Sequence, residues 1–339
     1  MLANPPNPAN LRKPNPNCSP DRRAVLLDLL RLGGLAAATG GLGWWLQGRS
    51  HRPEEEHAAT FRHSFVVPPD SNLPEMVIAQ GDDPRQLVRK GVEGLGGIRR
   101  FISRGDVVVI KPNIAWDRTS EQAANTNPQV VAEMVRLCLE AGAKKVVVTD
   151  VSCNDPRRCF ARSGIAAAAR TEGAEVILPE GRKFKEVDLQ GDVLSAWPVF
   201  EPFLAADKMI NIPIAKHHSL TGVTLGMKNW YGILGGLRNR LHQRIHESLV
   251  DLADFMRPTL TIMDAYRVLM RNGPTGGDLA DVALKKTLVA GTDPVALDAY
   301  VAKAYWDLDS RTLQYLKLAQ DRGLGTLRFE NVRTRLVNA

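Results

Sequence analysis

Short apolar runs that alternate with helix-period segments constrain this chain most. Val107-Val108-Val109-Ile110 offers no polar residue to either side of a strand. A strand with one wet face alternates apolar and polar residues, so an unbroken apolar run belongs in a strand covered on both faces. Residues 128–141 then place Val131, Val135 and Leu139 at helical spacing, and Gly142 ends the segment. Val146-Val147-Val148-Thr149 is a second apolar run. Residues 163–171 are a shorter helix, and 175–178 a third strand. Strand–helix–strand at this spacing joins parallel neighbours and lays helices across the sheet. The sequence therefore predicts an α/β fold: a mostly parallel, doubly wound sheet with helices on both faces. Residues 208–212, 260–263 and 287–290 read as further strands. Residues 249–255 read as part of a helix, Asp293-Pro294 caps another, and Ser310 caps a last one. Residues 184–203 break the pattern and read as a small antiparallel excursion.

The expected domain spans 76–339. It opens on the strand Met76-Val77-Ile78-Ala79. Asp82-Asp83-Pro84 then starts a helix whose inward positions are Leu87, Val88, Val92 and Leu95. Residues 1–20, rich in Pro and Asn, read as disordered. In residues 21–48, Arg22-Arg23 precedes a Gly/Ala/Leu run and resembles a twin-arginine export signal, although Asp28 and Arg31 interrupt it. Trp44-Trp45 near Arg49 and Arg52 suits an interfacial anchor. The competing reading is an amphipathic N-terminal helix of a cytoplasmic protein. Residues 49–75 read as a linker. The export reading implies a periplasmic or exported protein, the twin-arginine translocase as partner, and membrane association if the segment stays uncleaved.

Net charge is +7, spread along 339 residues without a Lys/Arg run or basic-aromatic interleaving. This favours small anions or a membrane surface and gives no support for nucleic acid. The four cysteines contain no C-x-x-C pair, so neither a zinc ribbon nor an iron–sulfur cluster is expected. Cys153 reads as an inert loop thiol, with a nucleophile or a disulfide to Cys159 as alternatives.

Polar residues follow the strands. Lys111-Pro112-Asn113 follows the first apolar run, and Asp150 and Cys153 the second. Lys216-His217-His218, Asp264 and Asp293 follow later ones. Open α/β sheets bind ligands outside the carboxyl ends of their strands. Lys111, Asn113, Asp150, Lys216, Lys228 and Asn229 are therefore the expected ligand-binding set, for a carboxylate or phosphate. His217, His218, His242 and Asp264 are the expected catalytic set, with imidazole as acid or base near neutral pH. His242 and His246, spaced i, i+4, would share a helix face. With His217 or His218 they can be drawn as a divalent metal site.

These strings resemble a family catalogued as domain of unknown function 362. The matching pieces are Val-Ile-Lys-Pro-Asn113, the unit ending in Val-Val-Val-Thr-Asp150, Lys216-His217-His218, and Thr224-Leu-Gly-Met-Lys228-Asn229. His242, Arg257-Pro258, Asp264-Ala265, Gly273-Pro274 with Gly276, and Asp293-Pro294 through Asp298 continue the series. Many members carry an attached ferredoxin-like cysteine module and are described as iron–sulfur proteins. This sequence holds no such module, so the resemblance does not carry that cofactor over. Two functions stay open: an enzyme acting on a small anion with Lys anchors and His acid/base, or a non-catalytic binder of an anion or metal in the cell envelope.

Overall fold

A computed structural model describes residues 59–60 and 64–339. The expectations for residues 1–48, the export signal among them, lie outside the described residues. Thirteen strands are described: β1 (Ala59–Thr60), β2 (Met76–Gln80), β3 (Val107–Pro112), β4 (Lys145–Val148), β5 (Glu175–Val176), β6 (Phe184–Asp188), β7 (Ala196–Phe200), β8 (Lys208–Ile212), β9 (Ile214–His218), β10 (Gly222–Thr224), β11 (Leu260–Leu269), β12 (Val282–Gly291) and β13 (Thr334–Asn338). The large sheet runs β13-β2-β12-β11-β8-β3-β4-β5. β9 pairs with β11, and β10 with β9. Along the main path every pairing is parallel except those of β12, which opposes both β2 and β11. The expected mostly parallel α/β sheet is the observed fold.

The apolar runs explain the layering. Val109, Val147, Met209, Met263 and Val289 pack into one core, with residues of helices α6 (Ile245–Phe255), α7 (Pro294–Trp306) and α8 (Gln314–Asp321). Their strand neighbours Val108, Ile110, Val146, Val148, Ile210 and Ile262 pack into the other, with α1 (Pro84–Gly94), α2 (Pro128–Glu140) and α4 (Ile165–Thr171). Successive side chains of a strand point to opposite faces, so two cores need apolar residues at every position.

Local signals set the helix starts. Asp83 accepts from Arg85 N at 2.9 Å and Asp293 from Val295 N and Ala296 N, both at 2.9 Å. The helix expected over 163–171 is α4, and a further helix that was not expected, α3 (Pro156–Arg162), precedes it. Gly164, at φ 76°, turns the chain between them where a side chain would be strained. The last helix begins at Gln314. Ser310 sits in a short 3₁₀ turn capped by Asp309.

The antiparallel excursion is a separate small sheet, β1-β6-β7, followed by the one-turn helix α5 (Glu201–Leu204). Because β1 pairs with β6 and Phe65 is buried in the core, the chain joins the domain before residue 76. The direction of β12 also changes the edge. Its end, Gly291, lies beside Thr261 near the start of β11 and beside Met76. Gly291 shares a row with Thr261, Asn211 and Lys111, but beyond it the chain runs away from the carboxyl ends of the parallel strands, and Asp293 caps α7. Among the described residues no helix is long and apolar enough to cross a membrane.

Candidate functional site

The site is built where β3, β4 and β9 deliver their polar residues. Lys111, in register with Asn211 of β8, is fully buried. Its Nζ donates to Asp150 Oδ1 at 2.7 Å, Pro112 O at 2.9 Å and Asn229 Oδ1 at 3.1 Å. Asp150 Oδ2 accepts from Ile114 N at 2.6 Å. Asn113 Nδ2 donates to Asn229 Oδ1 at 3.0 Å, and Asn113 Oδ1 accepts from Lys216 Nζ at 3.0 Å. Lys216 Nζ also donates to Ala124 O at 2.6 Å. One hydrogen-bonded chain thus links Asp150, Lys111, Asn229, Asn113 and Lys216.

A close backbone approach makes this possible. A Cβ built on Gly232 would run into Asp150 Oδ1 and stand 2.7 Å from Lys111 Nζ. Only glycine lets the 3₁₀ segment 228–233 lie against the ion pair. Gly232 O accepts from Val151 N at 2.8 Å, which ties that segment to the end of β4.

These groups line a cavity of about 360 Å³ together with His218, Thr224, Lys228, Tyr231, Arg238 and His242. Lys228 is buried, and its Nζ stands 4.5 Å from the centre of the Tyr231 ring. Among the described residues nothing accepts a hydrogen bond from it. The buried Thr224 Oγ1 and Tyr231 hydroxyl likewise have no partner. Arg238 is engaged, donating to Val151 O and Ser152 O at 2.7 Å.

Burial dominates the electrostatics. It lowers the Lys111 amine, against the pull of Asp150. It takes Lys216 to about 7 and Lys228 to about 8. His218 falls to about 3, through burial and then the positive charge of Lys228 and Lys216. Its Nδ1 accepts from Leu220 N at 3.1 Å, so its one proton sits on Nε2. His218 is thus a neutral donor and has no proton-accepting role. His242, exposed at the cavity, points Nδ1 at Asn239 O at 3.3 Å. A carbonyl only accepts, so Nδ1 carries the proton and Nε2 keeps a lone pair. Burial lowers His242 too, with Lys228 second.

All six expected ligand-binding residues line this one cavity, as do His218 and His242. Three other expected residues do not. His217, alternating with Lys216 and His218 along β9, faces elsewhere and accepts from Gly273 N at 3.2 Å. Asp264 lies inside β11, which runs past the expected strand end. Its carboxylate accepts from Asn127 N at 2.7 Å and Tyr266 N at 3.0 Å, and burial raises it to about 6. It holds the start of α2. His246 stacks on Tyr315 at 6.5 Å. The i, i+4 argument fails for His242 and His246 because α6 begins only at Ile245 and His242 precedes it in a 3₁₀ segment. Among the described residues no three His, Cys, Asp or Glu gather where a metal ion could sit. Cys153 and Cys159 are free thiols, Cys159 buried and Cys153 exposed in the cavity wall. Thr224, Tyr231 and Arg238 were not among the site residues expected from sequence. Tyr231 follows Lys228 by three residues, the spacing of one 3₁₀ turn, which is the signal that would have found it.

The profile of one family covers residues 108–303, from β3 through most of α7, well over half of the chain. The chain belongs to the domain of unknown function family DUF362. This DUF362 chain is 28% identical over 245 residues to a thylakoid-associated protein of Synechocystis sp., covering 70% of this chain and 74% of that one. Among solved structures, a Thermotoga maritima protein aligns at TM-score 0.38 with 14% identity. The lactate racemase apoprotein of Thermoanaerobacterium thermosaccharolyticum aligns at 0.40 with 12%. These alignments cover 71% and 68% of the DUF362 chain but only 60% and 57% of the two solved chains.

Proposed function

We propose that the cavity binds a small anion rich in hydrogen-bond acceptors, and that the protein is an enzyme acting on it. One observation carries this reading. The cavity wall holds unused donors on Lys216, Lys228, Thr224 and Tyr231, while its one carboxylate, Asp150, is already engaged. A lysine ammonium has three N–H donors and no acceptor. Lys111 uses all three and holds the wall together, Lys216 has one left, and Lys228 has three. Buried donors without partners are costly, and an anion with several oxygens satisfies them. His242 Nε2 is the cavity's free base, and the His218 Nε2–H is a neutral donor suited to polarising a carbonyl.

Calorimetric titration with phosphate, sulfate and a series of mono- and dicarboxylates tests the reading. At least one should bind, and Lys216→Met should weaken it by about 1.5–3 kcal/mol, the worth of a charged hydrogen bond. Binding of none would sink it.

Export through the twin-arginine route, with an envelope location, is the accompanying proposal. Support comes from Arg22-Arg23 ahead of the Gly/Ala/Leu run and from the thylakoid-associated relative. A reporter fused after Arg52 should leave the cytoplasm, and replacing Arg22 and Arg23 by Lys should retain it there. Unchanged localisation would refute this.

A further inference from the structure

We propose that Lys228 is the nucleophile of the cavity and forms an imine with a small carboxylate that also carries an aldehyde or ketone. The inference rests on the anion-binding reading of the same cavity and narrows it to a substrate class.

The three buried lysines differ in what their nitrogens already do. Lys111 is surrounded by three acceptors, one a carboxylate 2.7 Å away, and stays an ammonium locked in the wall. Lys216 is held by two acceptors, and an imine there would give up at least one of them. Lys228 breaks no hydrogen bond when it reacts. Its Nζ lies against the Tyr231 ring, and among the described residues no carboxylate is paired to it. Its charged neighbours in the cavity are mostly cationic: Lys111, Lys216 and Arg238, against Asp150 alone, with Tyr231, Cys153 and two histidines completing the titratable groups. Desolvation without a counterion is the setting in which a lysine gives up its proton and becomes nucleophilic. The surroundings fit the partner as well. The spare N–H of Lys216 and the Thr224 hydroxyl suit a carboxylate, and the neutral His218 suits a carbonyl oxygen.

The step balances without an oxidant or reductant. The neutral Lys228 amine adds to the carbonyl carbon and forms a C–N bond. The nitrogen's two protons pass in turn, by way of His242 Nε2, to the former carbonyl oxygen. That oxygen leaves as water, and the C=N bond remains.

Reductive trapping tests this. The full protein is incubated with glyoxylate, pyruvate or 2-oxoglutarate and cyanoborohydride, then analysed by intact mass and peptide mapping. One reduced adduct per chain is expected, on the peptide that holds Lys228. It should form faster as pH rises through about 8 and vanish in Lys228→Arg, which keeps the cation. Oxalate and phosphate, which lack an aldehyde or ketone, are titrated in parallel. Binding of either without an adduct, or adducts confined to other lysines, overturns the imine and leaves the anion site standing. Neither adduct nor binding overturns both.

Discussion

Two buried charge clusters in this protein look alike in composition and differ in what they leave unused. Around Asp251, in the middle of α6, the carboxylate accepts from Asp192 N at 3.0 Å, Val193 N at 2.9 Å and Leu194 N at 3.0 Å. Arg322 Nη1 completes it at 2.6 Å and reaches on to Asp192. The buried carboxylate there is balanced by Arg322, and the cluster pins the β6–β7 region to α6 and α8. The Lys111–Lys216–Lys228 cluster has three buried cations against one carboxylate, and donors with nothing to donate to. Both regions meet the same desolvation penalty. The first cluster meets it with protein groups and is structural. The second leaves part of it unmet by the described residues, and the proposed anion would meet it.

The comparison breaks if Asp251 proves dispensable. Asp251→Ala should cost about 3–5 kcal/mol, because Arg322 and three N–H groups lose their acceptor. Thermal unfolding should show it, with anion affinity in the surviving fold unchanged. A Tm that barely moves, or affinity lost in step, would mean the two clusters are not different in kind.

Gly232→Ala comes next. The added methyl group must displace Asp150 or Lys111, costing about 1–3 kcal/mol of stability and removing anion binding together. Full binding in the variant would show that the close approach is not what holds the wall.

Lys228→Met sharpens the contrast through pH. The folded-state pKa of Lys228, about 8, lies below the ordinary value of 10.5. The folded protein therefore holds this proton less tightly than the unfolded chain. The stability contributed is full above about 10.5 and is lost as pH falls towards 8. Lys228→Met should abolish that part of the dependence and, at pH 7, unfold at the same or higher temperature. Asp298 works in the opposite sense. Burial raises it to about 7, so its contribution is present below the ordinary carboxylate range and fades as pH rises from about 4 to 7. Chemical denaturation from pH 5 to 10 separates the two. An unchanged alkaline limb in Lys228→Met would show that the amine is not desolvated.

The smallest effect belongs to His217→Asn. Its side chain faces away from the cavity, so anion affinity should shift by less than about 0.5 kcal/mol by calorimetry. A larger loss would draw β9 differently.

Much of this was readable from residues alone. The strands at 107–110 and 146–148 were legible because two-sided burial forbids polar positions. That these six residues share one cavity was legible because strand ends and a Gly-rich segment leave polar groups without a local structural use. His217 and His218 could not be separated from sequence alone, since alternation says that they face apart but not which one turns inward. His242 and His246 were paired by a helical period that holds only once α6 has begun. Asp264 was placed at an edge because it directly follows the apolar run 260–263, yet pairing with β12 extends the strand past it.

The sequence by itself determined that this chain forms a doubly covered, mostly parallel sheet, and which lysines and asparagines stand at its carboxyl edge. Apolar runs and their flanking residues are local facts, and each strand carries its own. Tertiary structure alone decided that β12 runs backwards and turns Asp293 away from the carboxyl edge. It alone decided that His218 is neutral while His242 keeps a free lone pair, and that Lys111 is saturated while Lys228 is not. Those differences depend on which acceptors lie within 3 Å and how much water is excluded. Both are set by residues as far apart in the chain as Lys111 and Asn229.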